Sequence, residues 1–415
     1  MEHLFRRCHG RLLSSLARAL GPARLDLAEE VVQDALLRAL KVWPYQGVPR
    51  SPEAWLRRVA RNRALDLLRR EGRMEELVEP AVLDGLAFSR APGSPGEDDE
   101  LAMVVLCCHP SLSPDAQVAL TLRTVGGLST DEIAAAFLAE RATIQQRIVR
   151  AKRTLAAEAP ALRLPAGPAL ARRREAVLAV LYLMFNEGHA ATGGEALVRS
   201  ELCGEAVRLA RLVAAHPALG GPQVEAFLAL LLFQASRLPA RQGDDGALVL
   251  LADQDRARWD RALMAEGFHH LERATETDTV TRWHLEAGIA SGHAAAASWG
   301  DTDWPRILDL YDLLHQVAPS PVVAVNRAVA VALARSPEAG LEALEEVWTP
   351  PGYYLLQATR GHLLGLAGRS AEAAVETRRA LMACRNAAVR AHLERRIEAL
   401  EATLASPFRP KEPSP

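Results

Sequence analysis

Residues 128–157 read Leu-Ser-Thr-Asp-Glu-Ile-Ala-Ala-Ala-Phe-Leu-Ala-Glu-Arg-Ala-Thr-Ile-Gln-Gln-Arg-Ile-Val-Arg-Ala-Lys-Arg-Thr-Leu-Ala-Ala. Ser129 and Glu132 stand three apart, the spacing of a capping box at a helix start, and Ile133, Ala134 and Phe137 supply that short helix with an apolar face. After a break at Leu138-Ala139-Glu140 the apolar residues Ile144, Ile148, Ala151 and Leu155 recur at helical spacing, predicting a second helix from about Arg141 to Ala157. Its other faces carry Thr143, Gln145, Gln146, Arg147, Arg150, Lys152 and Arg153. A short capped helix, a tight turn and a basic second helix form a helix-turn-helix pattern. Gln and Arg side chains suit base edges, and an Arg-Lys cluster suits phosphates. A plain helical hairpin would share the same spacing.

The same periodicity extends outward. From Asp26 to Lys41, Leu27, Val31, Ala35 and Ala39 form a stripe widened by Val32, Leu36 and Leu40, leaving Glu29, Glu30, Gln33, Asp34 and Arg38 for the outer face. In the next helix Ser51 is placed to cap and Pro52 suits the first turn. Leu56, Ala60, Ala64 and Leu67 are its expected buried stripe. Arg57, Arg58, Arg61, Asn62 and Arg69 fall on the opposite half with Trp55 at its edge, whereas Arg63 falls near the apolar arc. Guanidinium groups beside an aromatic suit a phosphate backbone with unstacked bases; a solvated Arg-rich face would look alike.

The chain has 415 residues, 49% of them hydrophobic and 24% charged, with a formal net charge of −2. Charge is unevenly spread: +6 over residues 1–72, −6 over 73–100, +2 over 101–157 and −4 over 158–415. That asymmetry points to a polyanion partner for one part only. The run Arg90-Ala91-Pro92-Gly93-Ser94-Pro95-Gly96, continued by Glu97-Asp98-Asp99-Glu100, reads as a flexible acidic linker. Pro160, Pro165, Gly167 and Pro168 mark a second joint, and a proline-rich tail closes the chain. The expected organisation is all-α: 1–72, linker 73–100, a helix-turn-helix domain 101–160, a helical domain 170–406 and a disordered tail 407–415. No run of roughly 18 apolar residues occurs and Met1-Glu2-His3 opens no signal peptide, so a cytoplasmic protein without a membrane partner is expected.

Leu27-Ala28-Glu29-Glu30-Val31-Val32-Gln33-Asp34-Ala35-Leu36-Leu37-Arg38-Ala39 resembles the second conserved region of bacterial sigma factors of the extracytoplasmic-function type. Trp55 to Arg70 resembles the promoter-melting helix that follows. Glu132-Ile133-Ala134, Thr143-Ile144 and Arg150-Ala151-Lys152 resemble steps of the fourth region, although Leu138 and Glu140 stand where the family commonly has Gly and a Ser cap. The resemblance covers about residues 1–157. It implies that Glu29, Glu30, Gln33, Asp34 and Arg38 bind core RNA polymerase. It further implies that Trp55, Arg57, Arg58, Arg61, Asn62 and Arg69 bind the promoter element nearest the start site. Thr143, Gln145, Gln146, Arg147, Arg150 and Arg153 would read the more distant element. Leu106-Cys107-Cys108-His109-Pro110, Tyr182-Leu183-Met184-Phe185-Asn186-Glu187-Gly188 and Asp253-Gln254-Asp255-Arg256 resemble the subgroup with a C-terminal tetratricopeptide-like extension. Residues 322–347 and Tyr353–Cys384 read as helical pairs, the latter meeting at Gly368-Arg369. Such a domain can take a ligand or protein of its own.

Chemistry is sparse. No GxGxxG, phosphate loop, HExxH or GxSxG occurs, so no catalysis and no cofactor are expected. Cys107-Cys108-His109 lacks the two-residue gap of common zinc knuckles and is expected to hold buried thiols. Asp253, Asp255, Asp301 and Asp303 are expected to pair with Arg256 and Arg258 and to pack beside Trp259 and Trp304. Asn186-Glu187-Gly188 is expected to end a helix. The leading expectation is a specificity subunit of RNA polymerase. A DNA-binding regulator that does not engage polymerase, and a helical-repeat binder of a peptide or small molecule, are the alternatives.

Overall fold

A computed structural model describes residues 2–70, 95–137, 139–159, 161–189, 198–244, 246–350 and 352–405. The linker before Pro95, Leu138 in the turn and the tail 407–415 lie outside these residues. The described helices are α1 (Glu2–Leu20), α2 (Leu25–Gln46), α3 (Pro52–Arg70), α4 (Pro95–Cys107), α5 (Pro114–Thr124), α6 (Thr130–Ala136), α7 (Arg141–Glu158), α8 (Pro168–His189) and α9 (Ser200–Ala215). They continue with α10 (Pro222–Ser236), α11 (Arg261–Ala274), α12 (Arg282–Ala295), α13 (Trp304–Val317), α14 (Pro321–Ala334) and α15 (Pro337–Glu345). The last are α16 (Tyr354–Leu366), α17 (Ser370–Ala383) and α18 (Ala387–Ala405). Among the described residues extended pairing is confined to one bridge, Gln242 with Leu248. No described helix is long and apolar enough to cross a membrane.

Two compact units form: Met1–Asn186 with Gly204–Leu219, and Glu187–Cys203 with Gly220–Pro415. The division falls inside α8 and α9, not at the Pro165–Pro168 joint that proline punctuation suggested. The reason for α8 is visible in the first unit, where Arg173 donates to the Val105 carbonyl at 2.9 Å.

In the first unit α1, α2 and α3 bury Leu13, Leu16, Val31, Ala35, Ala39, Trp43, Leu56, Ala60, Ala64 and Leu68 in one core. The α3 stripe runs strictly every fourth residue and ends on Leu68; Leu67 is only partly buried, and Leu40 of α2 is exposed. The acidic run expected in a flexible linker is helical from Pro95 onward. Asp99 and Glu100 are buried against α1, Asp99 pairing with Arg18. Glu100 receives the Arg208 fork at 2.6 and 2.9 Å, which offsets the burial that pushes its carboxyl above the usual range. Sequence composition cannot distinguish a solvated acid from one with a distant guanidinium.

In the second unit α10 is apolar all round and buried along nearly its whole length, as a central helix must be. Its one buried acid, Glu225, is met by His270 at 2.5 Å and Arg273 at 2.8 Å. From α12 to α18 each helix packs on the next. The pairs expected at 322–347 and 353–384 are present as α14–α15 and α16–α17, with Gly368 turning at φ 74° between the latter. Asn186-Glu187-Gly188 lies in the last turn of α8, which ends one residue later at His189. A Cβ at Gly188 would come within 2.8 Å of the Cys203 backbone nitrogen and sulfur, so close approach, not a left-handed cap, demands the glycine.

Candidate nucleic-acid and protein interface

The capping box forms as the spacing predicts. Ser129 Oγ accepts from Glu132 N at 3.1 Å, and Glu132 Oε2 accepts from Ser129 N at 2.7 Å. The chain then turns through Phe137, and α7 starts after Glu140, whose side chain makes no cap. Ile144, Ile148, Ala151 and Leu155 are buried against α5 and α6. Thr143, Gln145, Gln146, Arg150 and Arg153 are exposed on the remaining faces. Arg147 is partly withdrawn. It pairs with Asp115 at 3.5 Å and lies 5.7 Å over the Phe137 ring, contacts that orient it beside the exposed glutamines.

On α3, Arg58, Asn62 and Arg69 are exposed, while Trp55, Arg57 and Arg61 are partly buried. Arg57 is held by Glu53 at 2.6 Å. Trp55 meets Trp43 edge-on at 5.5 Å, which anchors the ring at the border of the cationic face.

Arg63, which did not fit the division of α3 into two faces, crosses to α2. Its Nε donates to Asp34 at 2.6 Å and its Nη2 lies 3.6 Å from Glu30. On α2, Glu30, Gln33 and Arg38 are exposed and Asp34 is half-buried. Glu29 departs from the expected outer face: it is buried at 8% exposure. Lys152 of α7 stands 2.8 Å from both Glu29 and Asp26, and Arg123 of α5 stands 3.6 Å from Glu29. His9, buried beside them, has its pKa lowered to about 4 by burial and then by the Arg123 charge, with Glu29 acting in the opposite sense. Lys152 sits between Ile148 and Leu155 in the periodic stripe, and that position was the signal for its burial.

The five cysteines are buried and form no disulfide. Burial pushes the Cys107 thiol up to about 12, and its sulfur lies 3.2 Å from Thr124 Oγ1. Among the described residues no group of three or more His, Cys, Asp or Glu is placed to hold a metal ion. The aspartates of the second unit are not the expected ion-pair partners of Arg256. Asp255 and Asp303 accept from backbone nitrogens at 2.9 and 3.1 Å, and Asp301 accepts from Ser298 at 2.7 Å. Short acids just before a helical turn satisfy its orphan donors first.

Residues 5–74 match sigma-70 region 2, residues 102–155 match sigma-70 region 4, and residues 173–275 match a family of unknown function. An uncharacterized protein of Rhizobium meliloti is 39% identical over 408 residues, 95% of this chain and 96% of its own length. The ECF RNA polymerase sigma factor SigE of Mycolicibacterium smegmatis is 31% identical over 36% of this chain and 58% of its own. The ECF RNA polymerase sigma-E factor of Escherichia coli K12 is 28% identical over 30% of this chain and 70% of its own. The chain thus spans little more than half of the mycobacterial relative's length. No solved structure matches the chain. The sigma-70 regions, which are themselves non-catalytic, support a role in promoter-specific transcription initiation. The chain belongs to the same family as the Rhizobium meliloti protein, and it carries a sigma-70 region 2 and a sigma-70 region 4 ahead of a further helical region.

Proposed function

We propose that the chain is a dissociable specificity subunit of bacterial RNA polymerase of the extracytoplasmic-function type. The observation that carries this reading is the exposed row Thr143, Gln145, Gln146, Arg150 and Arg153 on a helix whose opposite face is locked into region 4. The α6–α7 pair acts as a helix-turn-helix, with α7 in the major groove of the upstream element. Arg58, Asn62 and Arg69, with Trp55, Arg57 and Arg61 beside them, take the element nearest the start site. Glu30, Gln33, Asp34 and Arg38 meet core polymerase; Glu29 supports that helix from beneath through Lys152. In vitro transcription with purified core polymerase on genomic promoter fragments tests the reading. Charge reversal by Glu30→Arg with Asp34→Arg is expected to abolish co-purification with core polymerase, because several opposed charges are reversed at once. Unchanged co-purification with a normal helical spectrum refutes the assignment.

The C-terminal helices form a tetratricopeptide-like stack that modulates initiation. The successive pairs α14–α15 and α16–α17 support this, as do the close approaches at Gly340 and Gly361. The comparison to make is transcription by the full chain against residues 1–219, a cut that keeps the first unit's segment Gly204–Leu219. Equal activity at every polymerase concentration refutes the modulatory role.

A further inference from the structure

In the first unit the buried guanidinium of Arg208 is neutralised by Glu100 and Glu205. One cluster of arginines in the second unit is held differently. Arg237, at the end of α10, is held by two neutral amides: Nη1 donates to Gln234 Oε1 at 2.9 Å and Nε to Gln254 Oε1 at 3.4 Å. Gln254 is itself fixed by donating to the Val249 carbonyl at 3.2 Å. Arg256 donates to the His293 and Ala296 carbonyls at 2.5 and 2.6 Å, at the C-terminal end of α12. Both guanidinium groups lie over the Trp259 ring, at 5.6 and 4.9 Å. Arg241, one 3-10 turn beyond Arg237, has a buried Nε without an acceptor, and its side chain makes no ion pair among the described residues. The indole nitrogen of Trp259 and Nδ1 of His293 are likewise buried without a partner.

These groups feel one another. Burial first, then the charges of Arg241 and Arg256, lower the pKa of Arg237 to about 9. Burial followed by Arg241 and Arg237 holds His189 far below its ordinary value, and burial followed by Arg237 and Arg256 brings His293 to about 4. Asp301 eases only Arg256. Amides and carbonyls orient a guanidinium without spending its charge, and a buried unpaired charge is costly. An arrangement that orients cations, gathers them and leaves donors in excess is what a bidentate oxyanion requires.

We propose that Arg237, Arg241 and Arg256 frame a binding site for a small oxyanion, a phosphate or carboxylate group, with Trp259 as its apolar wall. The site lies within residues 173–275, to which the match assigns no function, and it is independent of how the sigma-70 regions act.

The test is thermal unfolding of the full chain in inorganic phosphate, and separately in succinate, each against chloride at matched ionic strength. A saturable rise in Tm of about 5 °C is expected from one or both anions. A response to phosphate alone assigns a phosphorylated ligand, to succinate alone a carboxylate, and to both a site reading the shared oxyanion. Arg241→Gln is expected to lose the rise while its ligand-free Tm stays at or above that of the wild type, because it removes an unpaired buried cation. Arg237→Gln, which keeps an amide network, is expected to lose the rise too. No saturable rise beyond chloride, an undiminished rise in Arg241→Gln, or a ligand-free Arg241→Gln Tm well below wild type each overturns the proposal.

Discussion

Lys152 of α7 places its ammonium 2.8 Å from the carboxylate of Glu29 on α2, and both side chains are close to fully buried. This pair joins region 4 to region 2 within the first unit, where α7 also packs on the Pro22–Arg24 turn. Removing Lys152 leaves the buried Glu29 carboxylate with only the more distant Arg123 at 3.6 Å, whereas removing both takes that buried carboxylate away as well. Lys152→Met is expected to destabilise the first unit by about 3 kcal/mol. Lys152→Met with Glu29→Met should recover most of that loss. Urea denaturation of the two single variants and the double variant measures the coupling, and additive losses would show that the pair carries none.

The exposed face of α7 is expected to divide into two kinds of contact. Gln146→Ala should change promoter preference by about 1–3 kcal/mol per lost base contact. Arg153→Ala should weaken all promoters alike and flatten the salt dependence. Binding to a panel of promoter fragments across a salt series separates them. If both variants shift only non-specific affinity, α7 does not read sequence.

His9 makes the first unit acid-sensitive. Its folded pKa of about 4 lies below the unfolded value of 6.5, so the folded state keeps the imidazole neutral while the unfolded chain takes up the proton. Stability therefore falls as pH drops from 6.5 towards 4, and below that window this group contributes no further loss. Between pH 7 and 5 the expected loss is about 2 kcal/mol. Comparing wild type with His9→Gln at both pH values isolates the contribution from the carboxylates nearby. A pH dependence identical in the two proteins would refute it.

Gly361→Ala is expected to destabilise the α16–α17 pair. The added Cβ would sit 2.7 Å from Thr377 Oγ1 and 3.2 Å from the Ala373 carbonyl. Overpacking of this kind costs about 1–3 kcal/mol, more than the helix propensity that Ala adds. Thr377→Ala in the same chain removes the nearer atom and should restore part of the stability. A Tm of Gly361→Ala at or above wild type would show that the helices yield freely.

Much of the molecule was written in periodicity. The apolar stripes of α2, α3 and α7, the Ser129–Glu132 capping box and the helix pairs at the C-terminus follow from residue spacing, because helical geometry repeats every 3.6 residues whatever lies around it. The exposed Gln145, Gln146, Arg150 and Arg153 follow from the same arithmetic. What spacing cannot supply is the partner of a charge. Glu29, Lys152, Asp99 and Glu100 read as solvent-facing, yet each is buried against a group distant in sequence. Two of them left a trace: Lys152 stands inside an apolar stripe, and Glu29 neighbours the buried Ala28. Arg63 carried a similar trace, lying near the apolar arc of α3. Asp255 and Asp303 each accept from a backbone nitrogen of the turn that follows and do not pair with Arg256. Tertiary structure alone decided which arginines were neutralised and which were not. Desolvation makes that distinction energetically large, and desolvation is a property of the packed chain, not of any stretch of it.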